Sequence, residues 1–75
     1  MRPYEFEIVL AGIDAMTPEI ADALYKAGCD DGHPHSSAGV AAVGFDRQAP
    51  SLEQAIASAM ADVRKAGFDV ARVEI

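Results

Sequence analysis

The sequence has little cysteine and no long apolar run. Its single cysteine, Cys29, excludes an internal disulfide and is typical of a protein from a reducing compartment. No stretch approaches the roughly 20 apolar residues of a membrane span, and residues 1–4 lack the apolar run of a signal peptide. We therefore expect a cytoplasmic protein that does not cross a membrane.

Basic residues are also scarce. Six Lys and Arg residues stand against twelve Asp and Glu residues, which gives a net charge of -6 at pH 7. Direct binding to nucleic acid needs a cluster of Lys and Arg side chains that displaces counterions from the phosphates, so we do not expect it. A basic protein partner would be attracted to this charge, although solubility alone is the simpler explanation of it.

The sequence carries no catalytic motif. Reactive side chains cluster only in residues 29–35, where Cys29, His33 and His35 have the spacing C-x3-H-x-H. Such residues could in principle hold zinc, but a second pair of ligands is missing, and a solvated loop is the simpler interpretation. The six glycines are scattered, so there is no phosphate-binding loop. We predict no enzyme activity, no metal and no cofactor.

Two helices are well delimited. Thr17 is a good N-cap for a helix that runs to about Ala27, and Gly28 can end it in a left-handed conformation. Ser51 and Gln54 match a capping box at the start of the second helix. Residues 67 and 68 can close that helix as a Schellman motif.

Apolar alternation predicts the strands. Residues 4–10 and 39–46 form two of them, with alternate residues facing inward: Phe6, Ile8 and Leu10 in the first, and Ala41, Val43 and Phe45 in the second. The last strand covers residues 69–75, with Ala71, Val73 and Ile75 on one side and Val70, Arg72 and Glu74 on the other. Residues 30–38 are polar and contain Pro34, which a strand tolerates at a sheet edge.

With that edge strand the order becomes βαββαβ, the ferredoxin-like two-layer sandwich. We predict one domain, residues 1–75, in which two helices cover one face of a four-stranded antiparallel sheet. The opposite face would carry Glu5, Glu7, Val9, Val40, Ala42, Gly44, Val70 and Arg72. This face has no aromatic residues to stack on RNA bases. It is a candidate for partner docking or dimerisation.

Residues 4–13, 24–31 and 45–56 together resemble small bacterial ferredoxin-like domains that often precede a helix-turn-helix in uncharacterised DNA-binding proteins. The resemblance covers almost the whole chain and implies no catalytic signature. It places the helix-turn-helix after Ile75, so we expect DNA reading to be absent from these residues. In size, acidity and lack of an active site the chain is also similar to phage anti-CRISPR proteins.

We therefore predict a non-enzymatic acidic protein-binding module. Its most concrete form is an anti-CRISPR inhibitor that mimics DNA phosphate and covers a basic nucleic-acid-binding surface of a CRISPR–Cas effector subunit. The predicted partner-binding residues are all acidic: Glu5, Glu7, Glu19, Asp22, Asp30 and Asp31. The alternative is a homodimeric regulatory domain derived from a helix-turn-helix regulator or antitoxin. Its predicted dimerisation residues are Cys29, Val9 and Val40.

Overall fold

Four strands and two helices alternate in the predicted order. The structure, a computed structural model, describes residues 1–75. Its elements are β1 (Arg2–Ala11), α1 (Pro18–Ala27), β2 (Gly32–Ser37), β3 (Val40–Ala49), α2 (Leu52–Lys65) and β4 (Asp69–Glu74). The sheet is antiparallel with strand order β2-β3-β1-β4. This is a ferredoxin-like α+β fold, as predicted. Neither helix has the length and apolar content needed to cross a bilayer.

Both helices begin at the predicted caps. The Thr17 side chain accepts a hydrogen bond of 3.2 Å from the Ile20 N–H. Ser51 does the same for the Gln54 N–H, also at 3.2 Å. Each hydroxyl satisfies a backbone donor that has no partner inside its helix.

Both helices also end in Schellman motifs. Gly28 is left-handed, with φ of 119°, and the next N–H, of Cys29, donates to the Leu24 carbonyl at 3.0 Å. At the end of α2, Phe68 donates in the same way to the Val63 carbonyl at 3.3 Å. The predicted end of α2 is therefore confirmed.

The core lies between the helices and one sheet face. It contains twelve buried residues: Phe6, Ile8, Leu10, Leu24, Cys29, Ala41, Val43, Phe45, Ala49, Ala55, Ala59 and Val63. The inward residues predicted for β1 and β3 are all among them. Phe6 and Phe45 are paired across the two central strands and stack with ring centroids 5.5 Å apart.

The predicted alternation in β4 holds for Arg72, Val73 and Glu74 but is wrong for Val70 and Ala71. Val9 pairs with Arg72 but Leu10 pairs with Val70, so Ala71 has no partner and forms a bulge. Val70 and Val73 consequently both pack against the core. A bulge moves every residue on one side of it to the other face of the sheet. Strict alternation predicts Val70 and Arg72 on the same face. The bulge instead places Val70 on the core side and leaves Arg72 on the opposite face.

The edge strand is confirmed as β2, and Pro34 lies within it. A two-residue turn, Ala38-Gly39, connects it to β3, and both residues have positive φ, 52° and 78°. That is the geometry of a type I′ hairpin turn. The second of these strands, β3, continues to Ala49, three residues beyond the predicted end at Asp46.

Candidate functional site

The sheet face opposite the helices, called the open face below, is built by strand register. His33 and Glu7 both pair with Gly44 from its two sides, and Glu7 also pairs with Glu74 on β4. Directly paired residues share a face, and so do alternate residues along a strand. The open face therefore carries Glu5, Glu7, Val9, His33, His35, Val40, Ala42, Gly44, Asp46, Asp69, Arg72 and Glu74.

Like charges oppose one another on this face. Glu5 is paired with Asp46 across β1 and β3, and Glu7 is paired with Glu74 across β1 and β4. Like charges directly opposite each other destabilise a sheet, whereas opposite charges stabilise it. These four carboxylates, which we call the acidic end, form the largest concentration of negative charge on the sheet.

The acidic end surrounds a shallow depression. Its volume is about 550 Å³, and its polar lining comes from Glu5, Glu7, His33, Asp46 and Glu74. It is widely open to solvent. A surface of this kind suits a protruding side chain of a partner better than an enclosed small molecule.

Two of the four carboxylates have a nearby side-chain partner. His35 Nε2 lies 2.6 Å from Glu7 Oε1, and Arg72 Nε lies 2.8 Å from Glu74 Oε2. Glu5 and Asp46 form no ion pair within 4.0 Å. Glu5 and Asp46 are therefore the two carboxylates of the acidic end without a side-chain partner.

Glu7 and His35 meet across the small residues of β3. These residues lie on strands separated by β3, so their side chains must meet above it. A Cβ atom at Gly44 would lie 3.7 Å from Glu7 Oε1, an ordinary contact distance. Gly44 and Ala42 have little or no side chain, and they leave room above β3 for the two longer side chains to join.

The other end of the open face is more apolar. A second shallow depression of about 530 Å³ is lined by Val9, Val40, Ala71 and Arg72 together with the 10–14 segment and Gly39. Val9 is only 5 % exposed, whereas Val40 is 40 % exposed. Of the two valines predicted at a dimer interface, Val40 alone offers substantial contact area.

The six predicted acidic residues do not share one surface. Glu5 and Glu7 lie on the open face, but Glu19 and Asp22 are exposed on α1, in the opposite layer. Asp22 is paired with Lys26 at 3.0 Å. Asp30 is exposed in the loop between α1 and β2. One flat partner cannot engage both layers at once.

Asp46 and Glu74 join the site although sequence reasoning did not select them. Each continues the alternation of its strand: Asp46 is two residues after Gly44, and Glu74 is two after Arg72. This alternation could be seen in the sequence. The strand register could not, and it is the pairing of β1 with β3 and β4 that places Asp46 and Glu74 beside Glu5 and Glu7.

Asp31 has a different environment, dominated by Arg47, which sequence reasoning also missed. Arg47 Nε and Nη2 donate to the two carboxylate oxygens of Asp31 at 2.7 and 2.8 Å. Nη2 also donates to the Gly28 carbonyl at 3.0 Å. Nη1 contacts Ser58 Oγ and Asp62 Oδ2, each at 3.0 Å. These five contacts match the five N–H donors of a guanidinium.

This cluster, the Arg47 network, is a structural clamp. The Arg47 side chain is 12 % exposed and joins β3 to the end of α1 and to α2. The bidentate hydrogen bond lowers the pKa of Asp31 and raises the pKa of Arg47. Asp31 is therefore held in place by the fold. Its role in partner binding stays a prediction.

Cys29 lies in the core. It is 2 % exposed, and burial, assisted by the negative charge of Asp62, raises the pKa of its thiol to about 11. A disulfide between two copies would require the core to open. The predicted role of Cys29 at a dimer interface stays a prediction, and it requires the buried thiol to become exposed.

The sheet separates Cys29 from the two histidines that follow it in residues 29–35. Cys29 belongs to the core beneath it, whereas His33 and His35 lie on the open face. No group of three or more His, Cys, Asp or Glu residues is arranged to hold a metal ion.

Comparisons with protein-family models, with curated proteins and with solved structures give no match to this chain. The candidate site is therefore defined by the geometry and charge of the open face.

Proposed function

We propose that this chain is a non-enzymatic protein-binding module whose acidic end docks on a basic, nucleic-acid-binding surface of another protein. The observation that carries the proposal is the direct opposition of like charges, Glu5 to Asp46 and Glu7 to Glu74. Each carboxylate would gain a favourable contact when Lys or Arg side chains of a partner approach the face.

Charge that serves only solubility does not need this arrangement. Solubility is achieved with both signs interspersed over the surface, whereas opposed like charges weaken a sheet. A domain of 75 residues has little stability to lose. Local rules that favour folding are typically broken at functional sites, which favours a binding role for these four carboxylates.

The size of the face fits a single specific contact. The chain exposes 4427 Å² in total, and a standard interface buries roughly 800 Å² per partner. About a fifth of the surface would then be covered. The acidic end alone is too small for this, so the neighbouring apolar end, including Val40, would lie in the same interface.

The most concrete form of the proposal is inhibition of a CRISPR–Cas effector. Carboxylates on a flat face can occupy a Lys- and Arg-lined channel in place of DNA phosphates. This choice of partner follows the similarity of type to anti-CRISPR proteins. The geometry itself supports the broader class, a basic nucleic-acid-binding surface.

A matched pair of charge reversals tests the proposal. The variant Glu5→Lys/Asp46→Lys changes the open face, and Glu19→Lys/Asp22→Lys changes α1 by the same amount of charge. Against a purified CRISPR effector or another basic nucleic-acid-binding protein, we expect the first to weaken binding at least about tenfold and the second far less. Equal losses, or an affinity indifferent to salt, would contradict the proposal.

One observation favours a second candidate, a homodimeric regulatory domain. Val40 is an exposed apolar residue beside the second depression. Light scattering of wild type and Val40→Glu distinguishes this candidate from the first. A dimer that dissociates in the variant supports it, and a monomeric wild type refutes it.

A further inference from the structure

Two imidazoles lie among the carboxylates of the open face. His33 and His35 are alternate residues of the edge strand β2, and both are exposed. His33 lines the acidic depression. His35 Nε2 lies 2.6 Å from Glu7 Oε1, in a contact whose two side chains are 48 % and 43 % exposed.

The surroundings of the imidazoles are mainly acidic. His35 faces Glu7 from β1, while β3 places Gly44 opposite His33 and Ala42 opposite His35. His33 shares its depression with Glu5, Glu7, Asp46 and Glu74. Asp31 precedes it by two residues and is bound to Arg47. Arg72, paired with Glu74, is the one permanent cation on the face.

The charge of the open face consequently depends on these two side chains. The four carboxylates of the acidic end and the Arg72 guanidinium together give a net charge of -3 when both imidazoles are neutral, and -1 when both are protonated. Histidine is the side chain whose charge ordinarily changes between about pH 5 and pH 8. Carboxylates and guanidinium groups in general keep their charge over this range.

We propose that protonation of His33 and His35 switches the open face from binding to releasing a basic partner. With neutral imidazoles, His35 donates one hydrogen bond to Glu7 and the face keeps its full negative charge. After protonation, His35 forms an ion pair that neutralises Glu7, and His33 places a positive charge inside the depression. Two of the three net negative charges that attract the partner are then lost.

This inference rests on the proposed function and adds its regulation. The two histidines lie on β2, an edge strand with one side open to solvent. Solvent protons and a docking partner can therefore reach these imidazoles on the same surface. No rearrangement of the core is required, since both imidazoles and the Glu7 carboxylate are already exposed.

The test uses a fluorescent arginine homopeptide, acetylated and amidated at its ends, as the cationic probe. Arginine stays charged at every pH used, so only the protein titrates. Binding is measured by fluorescence anisotropy at low, constant ionic strength, at about pH 8 and about pH 5.5. We expect about tenfold weaker binding at the lower pH.

The matched control is His33→Gln/His35→Gln, which keeps polar side chains of similar size at two exposed positions. Its affinity should be the same at both pH values. Circular dichroism at each pH verifies that both proteins remain folded.

The outcomes separate the two proposals. Absence of peptide binding by the wild type at about pH 8 overturns the docking function, and the switch with it. Binding of equal strength at both pH values overturns the switch and leaves docking intact. A pH effect that persists in the double glutamine variant also overturns the switch, because other groups must then cause it.

Discussion

The two faces of the sheet differ in whether their charges are paired. On the helix-covered face, Arg47 is 12 % exposed and every N–H of its guanidinium has a partner. On the open face, Glu5 and Asp46 stand opposite each other and neither has a counter-ion. Removal of charge from water is costly unless the charge is paired, whereas solvent screens charge on an open surface.

The charges of the Arg47 network stabilise the fold, whereas the charges of the acidic end are free to bind a partner. The Arg47 network ties β3 to the loop after α1 and to α2. The acidic end ties nothing together and weakens the sheet slightly. Mutations in the two regions should therefore have opposite effects on stability, and only one region should affect binding.

The largest effect is expected from Arg47→Met. It leaves Asp31 and Asp62 without a counter-ion at partly buried positions, so we expect the free energy of unfolding to fall by about 2 kcal/mol. Urea denaturation measures this. The control is Arg64→Met, an exposed arginine in the last turn of α2, where we expect less than about 0.5 kcal/mol. Equal losses would mean that the network does not hold the fold.

Cys29 should react slowly. A pKa of about 11, against 9.0 for an unperturbed thiol, leaves about a hundredth of the usual thiolate at pH 8, and burial blocks access as well. We expect modification by a disulfide reagent at least about 100-fold slower than in urea. Rapid labelling of the native chain would show that Cys29 is accessible and would support its predicted role in a covalent dimer.

Acid should weaken the Arg47 network. The hydrogen bond from Arg47 lowers the pKa of Asp31 in the folded state, so its contribution is present above the unfolded pKa of about 3.9. It is lost as pH falls through the lower, folded value. Unfolding measured from pH 7 downward should show this loss in wild type and a shallower decline in Asp31→Asn. Identical slopes would argue that Asp31 does not contribute.

A substitution in the Ala38-Gly39 turn should change stability without altering either face of the sheet. Ala38 has φ of 52°, a conformation that costs an alanine about 1 kcal/mol or more. Ala38→Asn creates Asn-Gly, the preferred type I′ pair. We expect thermal unfolding to show a gain of about 0.5 to 1 kcal/mol and the arginine peptide to bind as before. A loss of stability would contradict the turn geometry.

The smallest expected effect on stability, and the sharpest contrast, comes from Glu5→Lys. It converts a like-charge pair with Asp46 into an opposite-charge pair, so the free energy of unfolding should rise by about 0.5 kcal/mol. Binding of the arginine peptide should weaken at the same time. Ala38→Asn is the control that stabilises without loss of binding. If Glu5→Lys lowered the free energy of unfolding, repulsion between Glu5 and Asp46 would not be weakening the sheet as we describe.

Local sequence signals were sufficient for most of the fold. Thr17 and Ser51 predicted the helix starts because a capping hydroxyl acts within three residues of itself. Gly67 and Phe68 predicted the end of α2 for the same reason. Alternation placed Phe6, Ile8, Val43 and their neighbours in the core. It failed in β4, because the bulge at Ala71 is an irregularity of pairing with β1.

The candidate site was predictable only in part. Glu5 and Glu7 were selected from their strand, and both lie at the acidic end. Their partners Asp46 and Glu74 were not selected, since they come from strands distant in sequence. Asp31 was selected for its charge, but its role depends on Arg47, sixteen residues away.

The sequence by itself determined the element order, the helix caps, the inward faces of β1 and β3 and the overall negative charge. These follow from interactions between near neighbours and from composition. Only the tertiary structure decided which charges are neutralised, which oppose one another and which side of the sheet bears the histidines. The reason is physical: charge acts through space, and the distances between charges are set by strand register and helix packing rather than by separation along the chain.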